Sequence, residues 1–417
     1  MNRKHFILSA LQSVSIFASL ASQLLMAQKI GPGIELDSYF AAIGFAMAFI
    51  GSVGTGSIYL LPARIRADSQ TAEHQKKIAG AGVVAVAALG IVAAIVSAIF
   101  FSANSFISQQ PHAAEHTIML FGLAWGSAFT SIVAAAWGAV GNSQGRVVGA
   151  ITFGMVPPAA MASYLFGTQS PTVLGMAGAQ LVGICVQTMG LAWTYRLLCS
   201  FRGLDRKAFV RIIGSLPVAV AGAFCFSAYS AVDAWLAPSL GDGVMSHQAL
   251  AQRLVIAFCA ILSAGPFMLA PSITADMLDE GRRQDAWKYT LQAAKKLILL
   301  CLVASAAAPW IGHWAISILF QRGAFGLNDT NAVSTAVTIL LIGSGPMLAA
   351  AVAFRVLHNT DNGSNVAFFS LAWVFLYATI AKLLSAWLGS LALSVAYVAA
   401  WSLISFAAYF NLSRSLK

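Results

Sequence analysis

The chain has 417 residues, 59% of them apolar and 9% charged, against about 45–50% and about 25% in ordinary soluble domains. A spanning helix needs ~20 apolar residues, so about 246 of them (59% of 417) supply roughly 12 spans and leave little for a soluble domain. A secreted protein and a soluble enzyme are excluded, and so is a nucleic-acid-binding protein, because the net charge of +10 is scattered over short gaps between apolar runs.

Met1–His5 and the apolar run after them have the layout of a signal peptide. The run 6–28 is too long for one and carries no clear cleavage site, so it is expected to be the first span. Further runs follow at 39–62, 78–102, 117–141, 147–167, 173–195, 212–236, 252–273, 297–320, 332–354, 366–388 and 390–411. The sequence therefore predicts an all-α polytopic membrane protein of about twelve helices. With the N-terminus inside, twenty of the 24 Lys and Arg fall in cytoplasmic segments. Lys29, Arg253 and Arg322 fall outside, and Lys382 lies within a span. That asymmetry predicts cytoplasmic termini.

The halves echo one another. Leu60-Leu61-Pro62-Ala63 and Leu269-Ala270-Pro271-Ser272 close the second and eighth runs, and Lys76-Lys77 and Lys295-Lys296 each precede the third span of a half. Asn142-Ser143-Gln144-Gly145 and Asn359–Gly363 follow the fourth and tenth runs. Two six-helix lobes are expected, 1–200 and 201–417, related by a pseudo-two-fold along the membrane normal, which is an architecture of carriers.

No Gly-x-Ser-x-Gly, His-Glu-x-x-His or P-loop occurs, and no cofactor or metal site is expected. The five cysteines show no metal-like spacing and read as small buried hydrophobes. Asp276, Asp279, Glu280 and Asp285, among Arg282, Arg283 and Lys288, read as a solvated linker. Charge at membrane depth is costly, so the ionisable residues near the spans are the functional candidates. Arg253 opens the eighth run, as a phosphate-binding arginine or an interfacial anchor. Lys382 lies deeper in the eleventh, and Asp37 opens the second as a site residue or a helix cap. Arg322 and Arg355, at run ends, complete the substrate-binding set. Asp233 beside Trp235, and His313 between Trp310 and Trp314, read as interfacial. Prolines inside runs (Pro157, Pro158, Pro217, Pro266, Pro309, Pro346) suit helices that bend.

Leu319-Phe320-Gln321-Arg322-Gly323-Ala324-Phe325-Gly326-Leu327-Asn328-Asp329-Thr330 resembles the Leu-Phe-x-Arg-Gly-x-Phe-x-x-x-Asp-Thr stretch of MurJ/MviN-type lipid II flippases in the MOP exporter superfamily. Gly31-x-Gly33 with Asp37-Ser38-Tyr39-Phe40, Ala251-Gln252-Arg253-Leu254 and Asn142–Gly145 are similar to further family segments, in the same order. The resemblance implies a MOP/MATE-like bundle around a cationic cavity, moving a polyprenyl-pyrophosphate-linked saccharide outward across the bacterial inner membrane. It implies a monomer whose partners are that substrate, membrane lipids and glycan-synthesis enzymes. Of the family's cavity arginines only Arg253 is carried over, since Ser22 and Ile50 stand at the aligned positions of the first two spans. The last two helices of lipid II flippases are also lacking, which turns the expectation toward another lipid-linked glycan. A MATE-type drug or cation antiporter and a non-transporting scaffold are the alternatives. The antiporter would require acidic residues deep in the first lobe, and the sequence offers none there.

Overall fold

The computed structural model describes residues 3–67, 71–102, 114–202, 204–263, 273–274, 276–278, 280–359 and 363–416, and all regular structure among them is helical. In chain order the helices are α1 (Arg3–Lys29), α2 (Ile34–Ala46), α3 (Ser52–Ala67), α4 (Ala72–Ser102), α5 (Ala114–Ser143), α6 (Val148–Gly154), α7 (Val156–Gly167) and α8 (Val173–Tyr195). They continue as α9 (Arg206–Ala223), α10 (Cys225–Leu236), α11 (Val244–Ser263), α12 (Arg283–Ala307), α13 (His313–Phe320), α14 (Leu327–Asn359), α15 (Gly363–Leu388) and α16 (Leu391–Leu416).

Ten helical stretches among the described residues are long and apolar enough to cross a membrane. They become eleven when α9 and α10, bent by 58° at Phe224, are taken as one broken span. Twelve were expected. The first expected run does form a helix, α1, of 27 residues, and it is not one of these stretches. The chain is a multi-pass membrane protein.

Breaks in the helices have local causes. Residues Met47–Gly51 form a π-helical turn between α2 and α3, and Ala308–Gly312 form another between α12 and α13 at Pro309. Met155 separates α6 from α7 just before Pro157 and Pro158, while Pro62, Pro217 and Pro346 sit inside helices. The expected linker is shorter than it reads, because α12 begins at Arg283. Ala286, Thr290, Ala293, Ala294 and Leu297 bury one of its faces at helical spacing and so order a segment whose charges suggest a loop. The close of the eighth run and Pro266 lie outside the described residues.

The chain divides into two compact units. The first comprises Met1–Ile30 and Ser38–Trp235; the second comprises Gly31–Asp37 and Leu236–Lys417. By packing, α9 and α10 therefore group with the first unit, although sequence symmetry places residue 201 onward in the second lobe. In unit 1, α5 packs on α3 and α8, α7 on α8 and α1, and α9 on α3. Small residues permit the close approaches that association in lipid relies on: a Cβ at Gly44 would stand 2.7 Å from the Ser230 carbonyl oxygen, and one at Gly56 would stand 2.9 Å from the Val220 nitrogen. In unit 2, α14 is the central helix, with α11, α12 and α16 around it and α15 on α16. Trp373, Tyr377, Tyr397 and Trp401 stack in its core, with the Trp373 and Trp401 centroids 4.8 Å apart.

Candidate functional site

The turn Gly31-Pro32-Gly33 leads into α2, and Asp37 lies in that helix's first turn, 7% exposed. A carboxylate buried this deeply must be satisfied by strong donors. Asp37 Oδ2 accepts from the Gly243 backbone N–H at 2.7 Å. Its Oδ1 accepts from the Ser246 N–H at 2.7 Å and from the Ser246 hydroxyl. Gly243 and Ser246 form the start of α11. The acid thus occupies the N-terminus of a helix 206 residues away, where unpaired N–H groups and the helix dipole both favour negative charge.

A second acid fastens the same corner. Asp329, in the first turn of α14, accepts through Oδ2 from the Gly326 N–H at 2.8 Å and through Oδ1 pairs with His247 Nε2, also at 2.8 Å. His247 belongs to α11, one residue after Ser246. The 321–326 loop packs on the Gly31 turn so closely that a Cβ at Gly31 would lie 2.7 Å from Ala324 Cβ; φ of +78° at Gly31 also requires glycine. Gln248 accepts from the Ser394 hydroxyl at 2.9 Å, which ties the start of α16 to the same end of α11. Three segments far apart in sequence, around Gly31–Asp37, Gly243–Arg253 and Phe320–Thr330, therefore converge at one end of unit 2.

Four of the five expected site residues lie toward this end. Asp37 is at its centre, and Arg322 is exposed on the loop that covers Gly31. Arg253 is half-buried on α11, nine residues or roughly 14 Å beyond Val244. Lys382 is exposed on α15, six residues or roughly 9 Å before its end at Leu388. Because Gly389 turns the chain directly into α16, that end of α15 adjoins the Ser394 anchor. Arg355 does not join them. It lies 26 residues along α14 from Asp329, roughly 40 Å away at the opposite end.

Gly243, Ser246, His247 and Gln248 carry the corner and were not singled out from sequence. The available signal was Asp37 itself, an acid in search of N–H donors. Asp233, read as interfacial, is 1% exposed within unit 1, on α10. Trp310 and Trp314 are 75% and 66% exposed around His313, as an aromatic belt requires. Ser22 and Ile50 are both fully buried, and the Ser22 hydroxyl donates to the Ser19 carbonyl at 2.7 Å.

The family model described as lipid II flippase MurJ matches residues 19–417, which include all three converging segments. The chain belongs to the MurJ family. No curated protein matches it significantly. Among solved structures, this MurJ-family chain is similar to a lipid II flippase MurJ in an inward closed conformation, with a TM-score of 0.76 and 14% identity over 98% of this chain and 87% of that one. It is also similar to an inward-facing multidrug resistance MATE transporter of the MOP superfamily, with a TM-score of 0.66 and 12% identity over 97% and 94%. A MOP superfamily transporter from Pyrococcus furiosus gives a TM-score of 0.67 with 14% identity over 98% and 95%. At these identities the structural likenesses establish the MOP transporter fold.

Proposed function

We propose that this MurJ-family chain is a flippase that moves a polyprenyl-pyrophosphate-linked saccharide from the inner to the outer leaflet of the bacterial inner membrane by alternating access, with both termini cytoplasmic. The observation that carries this reading is membership of the MurJ family over residues 19–417, supported by the convergence of its three segments at the start of α11, the helix that carries Arg253. A sugar-pyrophosphate headgroup cannot enter hydrocarbon unaided, and arginine's planar fork suits phosphate oxygens. Arg253, with Lys382 at comparable depth, is assigned the pyrophosphate. Ser22 and Ile50 supply no charge, which favours a lipid-linked glycan other than lipid II, of the exopolysaccharide or O-antigen type. Glycan-synthesis enzymes and membrane lipids are the expected partners of a monomer. Purified protein in proteoliposomes should accelerate the appearance of a fluorescent lipid-linked glycan in the opposite leaflet; no acceleration with any such glycan would overturn the reading.

A second reading, a MATE-type drug or cation antiporter, is favoured by the buried Asp233 carboxylate in unit 1. It predicts cation efflux driven by a proton or sodium gradient and abolished by Asp233→Asn.

A further inference from the structure

Between the end of α8 and the start of α9, residues 196–202 and 204–205 lie as a strap where two membrane-crossing stretches end. It is held at three points within unit 1. The Ser200 N–H donates to the Lys76 carbonyl of α4 at 2.9 Å, and Gly80 lets the strap lie so close that a Cβ there would meet the Ser200 oxygen at 2.3 Å. Phe201 sits edge-on to Trp137 of α5, with centroids 6.0 Å apart. Asp205 lies 3.9 Å from His74 Nδ1 and caps α9 by accepting from the Lys207 and Ala208 N–H groups at 2.9 and 3.1 Å. The strap's own carboxylate is therefore engaged by backbone donors.

The outward side combines two chemistries. Arg202, Arg206 and Lys207 are exposed, and none of the ion pairs among the described residues uses them. At the end of α8, where the strap begins, Trp193 and Leu197 are each 71% exposed, and the Arg196 guanidinium lies 3.5 Å from the centre of the Trp193 ring. A soluble anion would be served by the cations alone. Exposed apolar side chains next to cations at the ends of spanning helices suit an amphiphile whose charge sits at the membrane surface and whose chains lie in hydrocarbon.

We infer that the strap is a binding site for an anionic glycerophospholipid of the surrounding leaflet. Arg202, Arg206 and Lys207 hold its phosphate, and Trp193 and Leu197 lie along its upper acyl region. The inference is independent of the transported substrate and concerns a lipid that stays in its leaflet.

Native mass spectrometry of the full chain from detergent supplemented with phosphatidylglycerol and phosphatidylcholine tests it. The unaltered protein should retain phosphatidylglycerol preferentially. Each cation near an anionic surface contributes about fivefold, so the combined variant Arg202→Gln, Arg206→Gln, Lys207→Gln should lower that preference on the order of 100-fold. Arg282→Gln, which removes a cation of unit 2, should leave it unchanged. Equal retention of the two lipids by the unaltered protein, or undiminished preference in the triple variant, would overturn the inference. Displacement of the lipid by millimolar inorganic phosphate would overturn it in favour of a soluble anion. If the triple variant fails to fold, Lys207→Gln alone should cost about fivefold, and added salt should weaken retention by the unaltered protein. Retention insensitive to both would equally sink it.

Discussion

Asp37 and Ser246 are 209 residues apart in the chain and share two hydrogen bonds, one from the Ser246 backbone N–H at 2.7 Å and one from its hydroxyl. A charged acceptor with this many donors is worth about 1.5–3 kcal/mol per hydrogen bond, and a buried helix end without a partner is costly. Asp37→Ala should therefore lower the unfolding free energy by about 2–3 kcal/mol in detergent. Asp37→Asn keeps an acceptor oxygen but no charge and should lose less. Thermal unfolding followed by tryptophan fluorescence separates the two. Equal stability of Asp37→Ala and the unaltered protein would remove the corner's structural role.

The His247–Asp329 pair predicts a coupling. Asp329 also caps its own helix through Gly326, so Asp329→Ala should destabilise more than His247→Ala. The pair should show an interaction energy of at least about 0.5 kcal/mol in a double-mutant cycle. Strict additivity of the two substitutions would mean that the contact contributes nothing.

Arg253 is the residue on which the transport reading depends most. Arg253→Lys retains charge without the planar fork and should transport slowly, while Arg253→Ala should transport far less, both inserting normally in the membrane. Lys382→Ala, at an exposed position, should impair less than Arg253→Ala. Proteoliposome flipping of the cognate lipid-linked glycan measures all three. Transport by Arg253→Ala at the unaltered rate would make the residue an interfacial anchor.

Much of this was legible in the sequence, and what was missed follows a pattern. Composition and apolar runs announce a helical membrane protein because burial in lipid demands long uninterrupted apolar helices. Motif matching identified the segments around Asp37, Arg253 and Asp329 without showing that they meet. Asp37 was legible as a cap but not as the cap of α11, since the choice of helix is decided by tertiary packing. The charged start of α12 reads as linker because four of its five inward-facing residues are Ala or Thr, which mark an apolar face weakly. The burial of Asp233 was not legible, because burial of a single carboxylate depends on neighbours that local sequence does not specify.

Orientation is testable at two exposed positions. In a background without native cysteines, Ser239→Cys should react with an impermeant thiol reagent added outside cells, and Arg206→Cys should not. The reverse pattern would invert the topology and place Arg253 in the inner half.

Asp205 gives a pH dependence. Hydrogen bonds from the Ala208 and Lys207 N–H groups, opposed in part by desolvation and assisted by His74 and Lys207, hold its carboxyl below the usual range. The folded pKa lies under the unfolded one, so its contribution is complete above the unfolded value and is lost as pH falls through the folded value. Asp205→Ala should lower stability at neutral pH by about 1 kcal/mol, as a lost N-cap does. The difference from the unaltered protein should shrink as the medium is acidified below pH 4. Thermal melts across pH 3–7 measure it.

Residues Gly31–Asp37 belong to unit 2, although both their neighbours in the chain belong to unit 1, so the polypeptide passes between the units three times. A single cut of the gene at the Trp235–Leu236 boundary would thus leave seven residues of the second unit on the first fragment. The 236–417 fragment made alone would lack the acid that closes α11. Supplied in trans with 1–235, it would recover that acid as a borrowed peptide, and the two fragments would complement one another as a split protein.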